Sequence, residues 1–419
     1  VSKRDEMRVR GGRSRSPLGW VCGDAANVRR IRSILLLFRF PPDYAGGSLQ
    51  ASRLMEQLAD HDVDVCALTQ LPESGKGARR EQAFGGRVIR FRVFGGLWLR
   101  DIVLSIRAGW WLVAHSEWDI LHLSGFSYFG VLPVLVAKLK RRPVLIKTTV
   151  LGSNGAFNPG RSWIARELLG TYARADAIVA LSQALENALL GEDRIAGEIL
   201  QIPNGVDIDL FRPARAGERD LARQAFGLSR NATVIVTCGM LYPRKNVIAL
   251  VQAAAAMKTR PVCVAMVGPP GPDAEYLEQL DAEIAKLPEG VEVRLLGSLE
   301  PDRLAELQRA GDIYVLMSRA EGLPNTLLEG MATGLACVAS DVPGSADVLA
   351  EGGGLLVPLD DDARLVEVLD RLVQDEDERS QLGAEARRLI LDRYAFSIIA
   401  SRYRQLYDWL LGDRTRSPR

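Results

Sequence analysis

From Ser33 onward, short β-branched apolar runs alternate with segments of helical period. The first half carries SILLLFRF, DVCALT, RVIRFRV, DILHLSG, PVLIKTT, DAIVALS and EILQIP; the second carries TVIVTCG, VCVAMVG, VEVRLLG, IYVLMS, ACVAS and GLLVP. Many of these runs are continuous rather than alternating, as expected of parallel strands covered by helices on both faces. Between them lie helical repeats such as Ala51, Leu54, Met55, Leu58 and Ala59, which share one face of a 3.6-residue period. The pattern predicts two successive doubly wound α/β domains, each with a crevice at its topological switch point. PNGVDIDLFRPARAGE, with Pro203, Asn204, Gly205 and Pro213 as breakers, marks the joint. A last stripe of Ile399, Tyr403, Leu406, Tyr407 and Leu410 predicts an amphipathic helix after the second series of strands has ended. It packs either on its own domain or back on the first.

The length of 419 residues agrees with two domains, and 47% hydrophobic content excludes global disorder. A net charge of +1 excludes a uniformly basic nucleic-acid binder, but it is a cancellation. Residues 1–215 carry 30 Lys and Arg against 21 Asp and Glu, a net +9, which leaves −8 for the remainder. Cys22, Cys66, Cys238, Cys263 and Cys337 are odd in number and lack a C-x-x-C pair. They predict neither a disulfide framework nor a metal site, which suits a reducing cytoplasm. Residues 1–30 are Arg-rich, lack the apolar core of a signal peptide, and read as a poorly ordered tail. Ile120–Ala137, nearly free of charge, reads as strand, loop and buried helix rather than a membrane span. The expected protein is cytoplasmic, or peripheral on the inner face of a membrane.

Three loops carry candidate chemistry. In PPDYAGGSLQ, Gly46 and Gly47 precede a helix, which makes either a tight turn or a place where N–H groups approach a phosphate. In GMLYPRKN, Arg244 and Lys245 follow the first strand of the second half, either as a solvated helix start or as cations for a diphosphate. In SRAEGLPNTLLEGMATG, Glu321 lies in a loop and Glu329 in the following helix, with Pro324 at the start and Asn325 and Thr326 as capping side chains. Two carboxylates there suit sugar hydroxyls; alternatively one caps the helix and the other faces solvent, although the apolar neighbours of Glu329 speak against exposure. Of the three histidines, His61 and His115 read as structural, while His122 is either a crevice ligand or a satisfied buried group.

These residues in this order resemble the retaining glycosyltransferases of family 4, which have the GT-B fold of two Rossmann-like domains. EGLPNTLLEG matches the family's E-x7-E motif, PNGVDIDLFRP its linker and GMLYPRKN its phosphate loop, across roughly residues 33–411. The resemblance implies an acceptor-binding domain over 31–212, a nucleotide-sugar-binding domain over 213–395, and a helix over 396–415 that returns to the first. It implies that Glu321 contacts the donor sugar near the reacting centre and that Glu329 holds the ribose. Lys245, the Gly46–Gly47 turn and the backbone around Leu323, Asn325 and Thr326 would then face the diphosphate. The sequence departs from the family in three places, one of them Pro324, which lacks an N–H to offer the anion. Met240 stands where an Arg is usual, with Arg244 as the candidate replacement. Thr148 and Thr149 stand where a His often lies near the anomeric carbon, leaving His122 as the catalytic histidine candidate.

The implied reaction moves a hexose from a nucleoside-diphosphate sugar, with retention and without a cofactor or metal, in bacterial surface polysaccharide or glycolipid synthesis. Rival readings are an inactive nucleotide-sugar-binding protein and a nucleotide-sugar epimerase of the same fold. The basic first half suits an anionic, glycan or lipid-linked acceptor rather than nucleic acid. Residues 94–118, with Leu97, Trp98, Trp110 and Trp111 among Arg100 and Arg107, form either a core-facing amphipathic helix or a contact with an anionic membrane.

Overall fold

The computed structural model describes residues 30–42, 46–72, 77–148 and 170–412. The Arg-rich stretch with Cys22, the part of the glycine turn from Asp43 to Ala45, and Thr149 lie outside the described residues.

Continuous apolar runs become central strands because each is covered on both faces. The first sheet comprises β1 (Ile31–Leu36), β2 (Val63–Gln70), β3 (Arg80–Ala83), β4 (Gly86–Phe91), β5 (Ile120–Ser124), β6 (Val144–Lys147), β7 (Ala177–Ala180) and β8 (Glu198–Gln201). Their order is β3-β4-β2-β1-β5-β6-β7-β8. Every pairing is parallel except β3 with β4. The periodicity did not predict β3. Its sequence, REQA, is polar and partly exposed, and it pairs only because Phe84 and Gly85, both at positive φ, turn the chain back as a hairpin. The second sheet comprises β9 (Thr233–Cys238), β10 (Val262–Val267), β11 (Val291–Leu295), β12 (Ile313–Leu316), β13 (Ala336–Ser340) and β14 (Gly354–Val357). Its order is β11-β10-β9-β12-β13-β14, all parallel. The strand order reverses between β1 and β5 in one sheet and between β9 and β12 in the other. The loops leaving these strands therefore open the two crevices.

Helices α1 (Gly46–Ala59), α2 (Leu97–Ala114), α3 (Val131–Leu139) and α4 (Gln183–Leu190) belong to the first sheet. Helices α5 (Glu218–Ala225), α6 (Val247–Ala256), α7 (Ala274–Ile284), α8 (Pro301–Ala310), α9 (Asn325–Ala332), α10 (Pro343–Leu349), α11 (Asp362–Gln374) and α12 (Glu376–Arg393) belong to the second. The last helix, α13 (Phe396–Leu411), crosses back. Its stripe of Ile399, Tyr403, Leu406, Tyr407 and Leu410 is buried in one core with Ile31, Leu35, Leu54 and Leu58 of β1 and α1. The chain thus crosses between the domains twice, and the crossings lie side by side. Val206 donates to the Tyr394 carbonyl at 2.7 Å, and Phe396 donates to the Val206 carbonyl at 3.1 Å. At Gly205 a Cβ would sit 2.4 Å from the Phe396 ring, so the joint requires glycine there. No helix among the described residues is long and apolar enough to cross a membrane.

Candidate functional site

The second-domain side of the crevice begins where β9 and β10 end. Gly239 and Gly268 both have positive φ, and a Cβ on Gly268 would lie 2.0 Å from the Gly239 carbonyl oxygen. That close approach lets the loop after β9 fold back into a short 3-10 turn, Pro243–Lys245, ahead of α6. The Lys245 ammonium then meets the Glu321 carboxylate at 2.6 Å, and both side chains are largely buried, at 14% and 9% exposure. Arg244 approaches the same carboxylate at 3.5 Å and donates to the Ala320 carbonyl at 2.7 Å. Its guanidinium also lies over the Tyr242 ring. Glu321 leaves β12 on a loop held from behind by α10, where Gly344 lets the backbone pass (a Cβ there would be 2.6 Å from the Glu321 carbonyl oxygen). Met240 is exposed and contributes no charge.

Helix α9 opens at this loop. The expected side-chain capping by Asn325 and Thr326 is not what forms: Pro324 is the cap residue and makes no side-chain cap bond. Asn325 is used across the crevice instead, where its Oδ1 accepts from Asn204 Nδ2 of the linker at 2.7 Å. The first N–H groups of the helix, at Asn325 and Thr326, have no carbonyl one turn earlier to bond, so the N-terminus and its dipole suit an anion. Leu323 is buried just before it, which fixes the backbone at that point. One turn on, Glu329 is 9% exposed, and its Oε2 has no partner among the described residues. Burial pushes its carboxyl up to about 8. It lines a small cavity with Gln50, Arg53, Gly205, Asp207 and Pro301, so residues of both domains enclose it.

On the first-domain side, Gly46 and Gly47 are the first residues of α1. A Cβ on Gly46 would be 3.4 Å from Asn325 Nδ2, which places the helix start directly opposite α9. Around Gly47 no atom of the described residues lies within 4 Å of that position. Gln50 was not singled out by the sequence. Its amide donates to the Gly205 carbonyl at 2.9 Å, while its Oε1, beside Glu329, lacks a partner among the described residues. Its position one turn into α1, after the glycine pair, was the available signal.

His122, the catalytic histidine candidate, lies in the core of the first domain. His122 is the third residue of β5 and is 1% exposed, enclosed between the sheet and α13. Its Nδ1 bonds the Tyr407 hydroxyl at 2.7 Å and its ring stacks on Tyr403. Burial, with nearby Lys147 adding to it, pushes the imidazole down to about 3. It is buried on the face of β5 that alternation along the strand turns toward α13. Thr148 is buried, with its hydroxyl donating to the Val179 carbonyl at 2.9 Å. Lys147, likewise missed from sequence, is 6% exposed at the end of β6, and burial pulls its ammonium down to about 8.

Glu321, Lys245, Arg244, Asn325 and Gly46 therefore converge at the facing switch points, with Glu329 at their inner edge. Models of two families match the chain, "Glycosyl transferases group 1" over residues 218–389 and "Glycosyl transferase 4-like domain" over 45–205. The chain is 31% identical to D-inositol 3-phosphate glycosyltransferase 1 of Catenulispora acidiphila, over 66% of this chain and 68% of that protein. It is 26% identical to alpha-maltose-1-phosphate synthase of Mycolicibacterium smegmatis, over 90% of this chain and 99% of that protein. Among solved structures, sucrose-phosphate synthase from Thermosynechococcus elongatus superposes with a TM-score of 0.75 at 21% identity, covering 92% of this chain and all of that one. Anabaena HepE in complex with UDP and glucose superposes at 0.73 and 20% identity, covering 90% and 99% of the two chains. The fold is GT-B.

Proposed function

The chain belongs to the group 1 glycosyltransferases, and from that premise we propose that it moves a hexose from a nucleoside-diphosphate sugar to an anionic, glycan or lipid-linked acceptor, with retention of configuration. The observation that carries this reading is the Lys245–Glu321 contact at 2.6 Å, set opposite the start of α1 and beside the start of α9. The reaction breaks the bond from the anomeric carbon to the diphosphate and forms one to an acceptor oxygen. Negative charge grows on the leaving diphosphate, and the sugar takes on positive character. Lys245, Arg244 and the N–H groups that open α9 and α1 supply positive potential to the diphosphate, a role we assign to them without a metal ion. Glu321 accepts from hydroxyls of the donor sugar, and Glu329 from the ribose. Because His122 is buried against α13, we assign the acceptor's proton to an oxygen of the departing diphosphate, by attack on the face it leaves. Closing the domains about Asn204–Asp207 keeps water from the donor.

HepE, solved with UDP and glucose, makes UDP sugars the first donors to try. Thermal-shift titration with UDP, GDP and ADP, followed by transfer assays with the matching sugars, tests the reading. Glu321→Ala should lower transfer by at least about 100-fold while the nucleotide still raises the melting temperature. Full activity in that variant overturns the assignment. Nucleotide binding without turnover in the wild type points instead to an inactive sugar-nucleotide-binding protein.

A further inference from the structure

Helix α2 carries one more apolar face than the sheet can cover. Its buried side is Val103, Leu104, Ala108 and Leu112, packed against the first sheet and α3. A second stripe, Trp98, Ile102, Ile106, Trp110 and Val113, recurs at i, i+4, i+8, i+12 and i+15 on the other side. Trp98 and Trp110 are 65% and 68% exposed. Large exposed apolar side chains are otherwise scattered. Of fourteen among the described residues, eight lie on α2, on the loop before it, or on the adjoining α3. Single exposed apolar residues need no explanation, but a concentration of this kind does.

The charge around the stripe selects its occupant. Between Arg92 and Val113 the sole acidic residue is Asp101, which is buried and bound by the Ser127 hydroxyl, while Arg92 and Arg107 are exposed. Arg107 flanks the stripe one turn before Trp110, and Arg92 lies in the loop ahead of the helix. Tryptophan and arginine so placed, without an exposed acid between them, match the boundary of a bilayer, where the indole sits among headgroups and the guanidinium meets lipid phosphate. The stripe runs about 22 Å at 1.5 Å per residue, long enough to lie in that plane.

Topology places this face beside the crevice. Strand β4 runs parallel to β2 and β2 parallel to β1, so all three end at the edge from which α1 and its glycine pair begin. The loop from β4 to α2, with Phe94 exposed, and the first turn with Trp98 therefore sit at the crevice edge of the first domain.

We propose that the exposed face of α2 docks this protein on an anionic lipid bilayer, with the mouth of the crevice against the headgroups. The docking deepens the reading of a lipid-linked acceptor and rests on it for its purpose. Lipid binding itself is measured without any sugar nucleotide, so either reading can fail alone. The protein is sedimented with vesicles of phosphatidylcholine and with vesicles of phosphatidylcholine mixed with phosphatidylglycerol. Binding to the anionic vesicles should be at least about tenfold tighter. Trp98→Ala with Trp110→Ala should lose about tenfold on those vesicles, and Arg107→Glu should erase the preference for anionic over neutral lipid. A cooperative melt at the wild-type temperature, followed without ligand, shows that the variants are folded. Equal or absent binding to the two vesicle types, or variants that bind as the wild type does, overturns the proposal. So does a dimer in light scattering that the tryptophan variant dissolves, since the face then belongs to a second copy.

Discussion

Glu329 shows how one residue's surroundings set its chemistry. The same carboxyl on an exposed helix face would ionise in the ordinary range; enclosed by both domains, it holds its proton up to about 8. In the unfolded chain this carboxyl ionises near 4.5, so the folded state carries no penalty below that point. As pH rises from there through about 8, the unfolded state sheds its proton first and the fold loses stability. Glu329→Gln removes this dependence. Its melting temperature should gain on the wild type as the pH is raised across that window, in scanning calorimetry without ligand. A ribose diol donates to the carboxylate form, so nucleotide affinity in the wild type should rise over the same window with release of a proton, and the Gln variant should be flat. Constant affinity in the wild type, measured calorimetrically in two buffers, would separate Glu329 from the nucleotide. The motif spacing already made Glu321 and Glu329 legible as a pair. The orphaned Oε1 of Gln50 beside them was not legible, because only the linker at Gly205 brings α1 to that cavity.

Among the elements, the loop after β9 depends on a backbone contact that no pattern of side chains announces. Gly268 has positive φ, and a Cβ there would meet the Gly239 carbonyl at 2.0 Å. Gly268→Ala should push the Gly239–Met240 backbone outward and carry Lys245 away from Glu321. The expected result is about tenfold weaker nucleotide binding or worse, with melting lowered by less than a core truncation would cause. Nucleotide affinity equal to the wild type would show that the loop tolerates the shift. The elements themselves were legible because parallel strands buried on both faces must be apolar throughout, as in VCVAMV and ACVAS. Strand β3 was not, since an edge hairpin buries little and leaves little hydrophobic signal. His122 shows the limit from the other side. A histidine near the end of an apolar run has two faces to choose from, and pairing of His122 with Leu35 and Leu145 turns it toward α13.

At the scale of the whole molecule, two chain crossings side by side form a narrow hinge, while the bond from Asn204 to Asn325 and one from the Ala184 N–H to Asp347 at 3.2 Å span the domains. A nucleotide that touches both helix starts should close the hinge, read as a fall in the radius of gyration by small-angle scattering. Asn204→Ala should shift the unliganded protein toward the open form. A radius unaffected by nucleotide would mean that the two halves are already fixed. By itself the sequence determined the two α/β halves, the joint at Pro203–Gly205, the carboxylate pair and the opposite charges of the halves, because all of these are written in local periodicity, spacing and count. Tertiary structure alone decided that α13 braces the first domain rather than the second, that His122 is core, that Asn325 bridges instead of caps, and that α2 presents a second apolar face outward. Each of those depends on which surface lies opposite, and a surface is made by residues far apart in the chain.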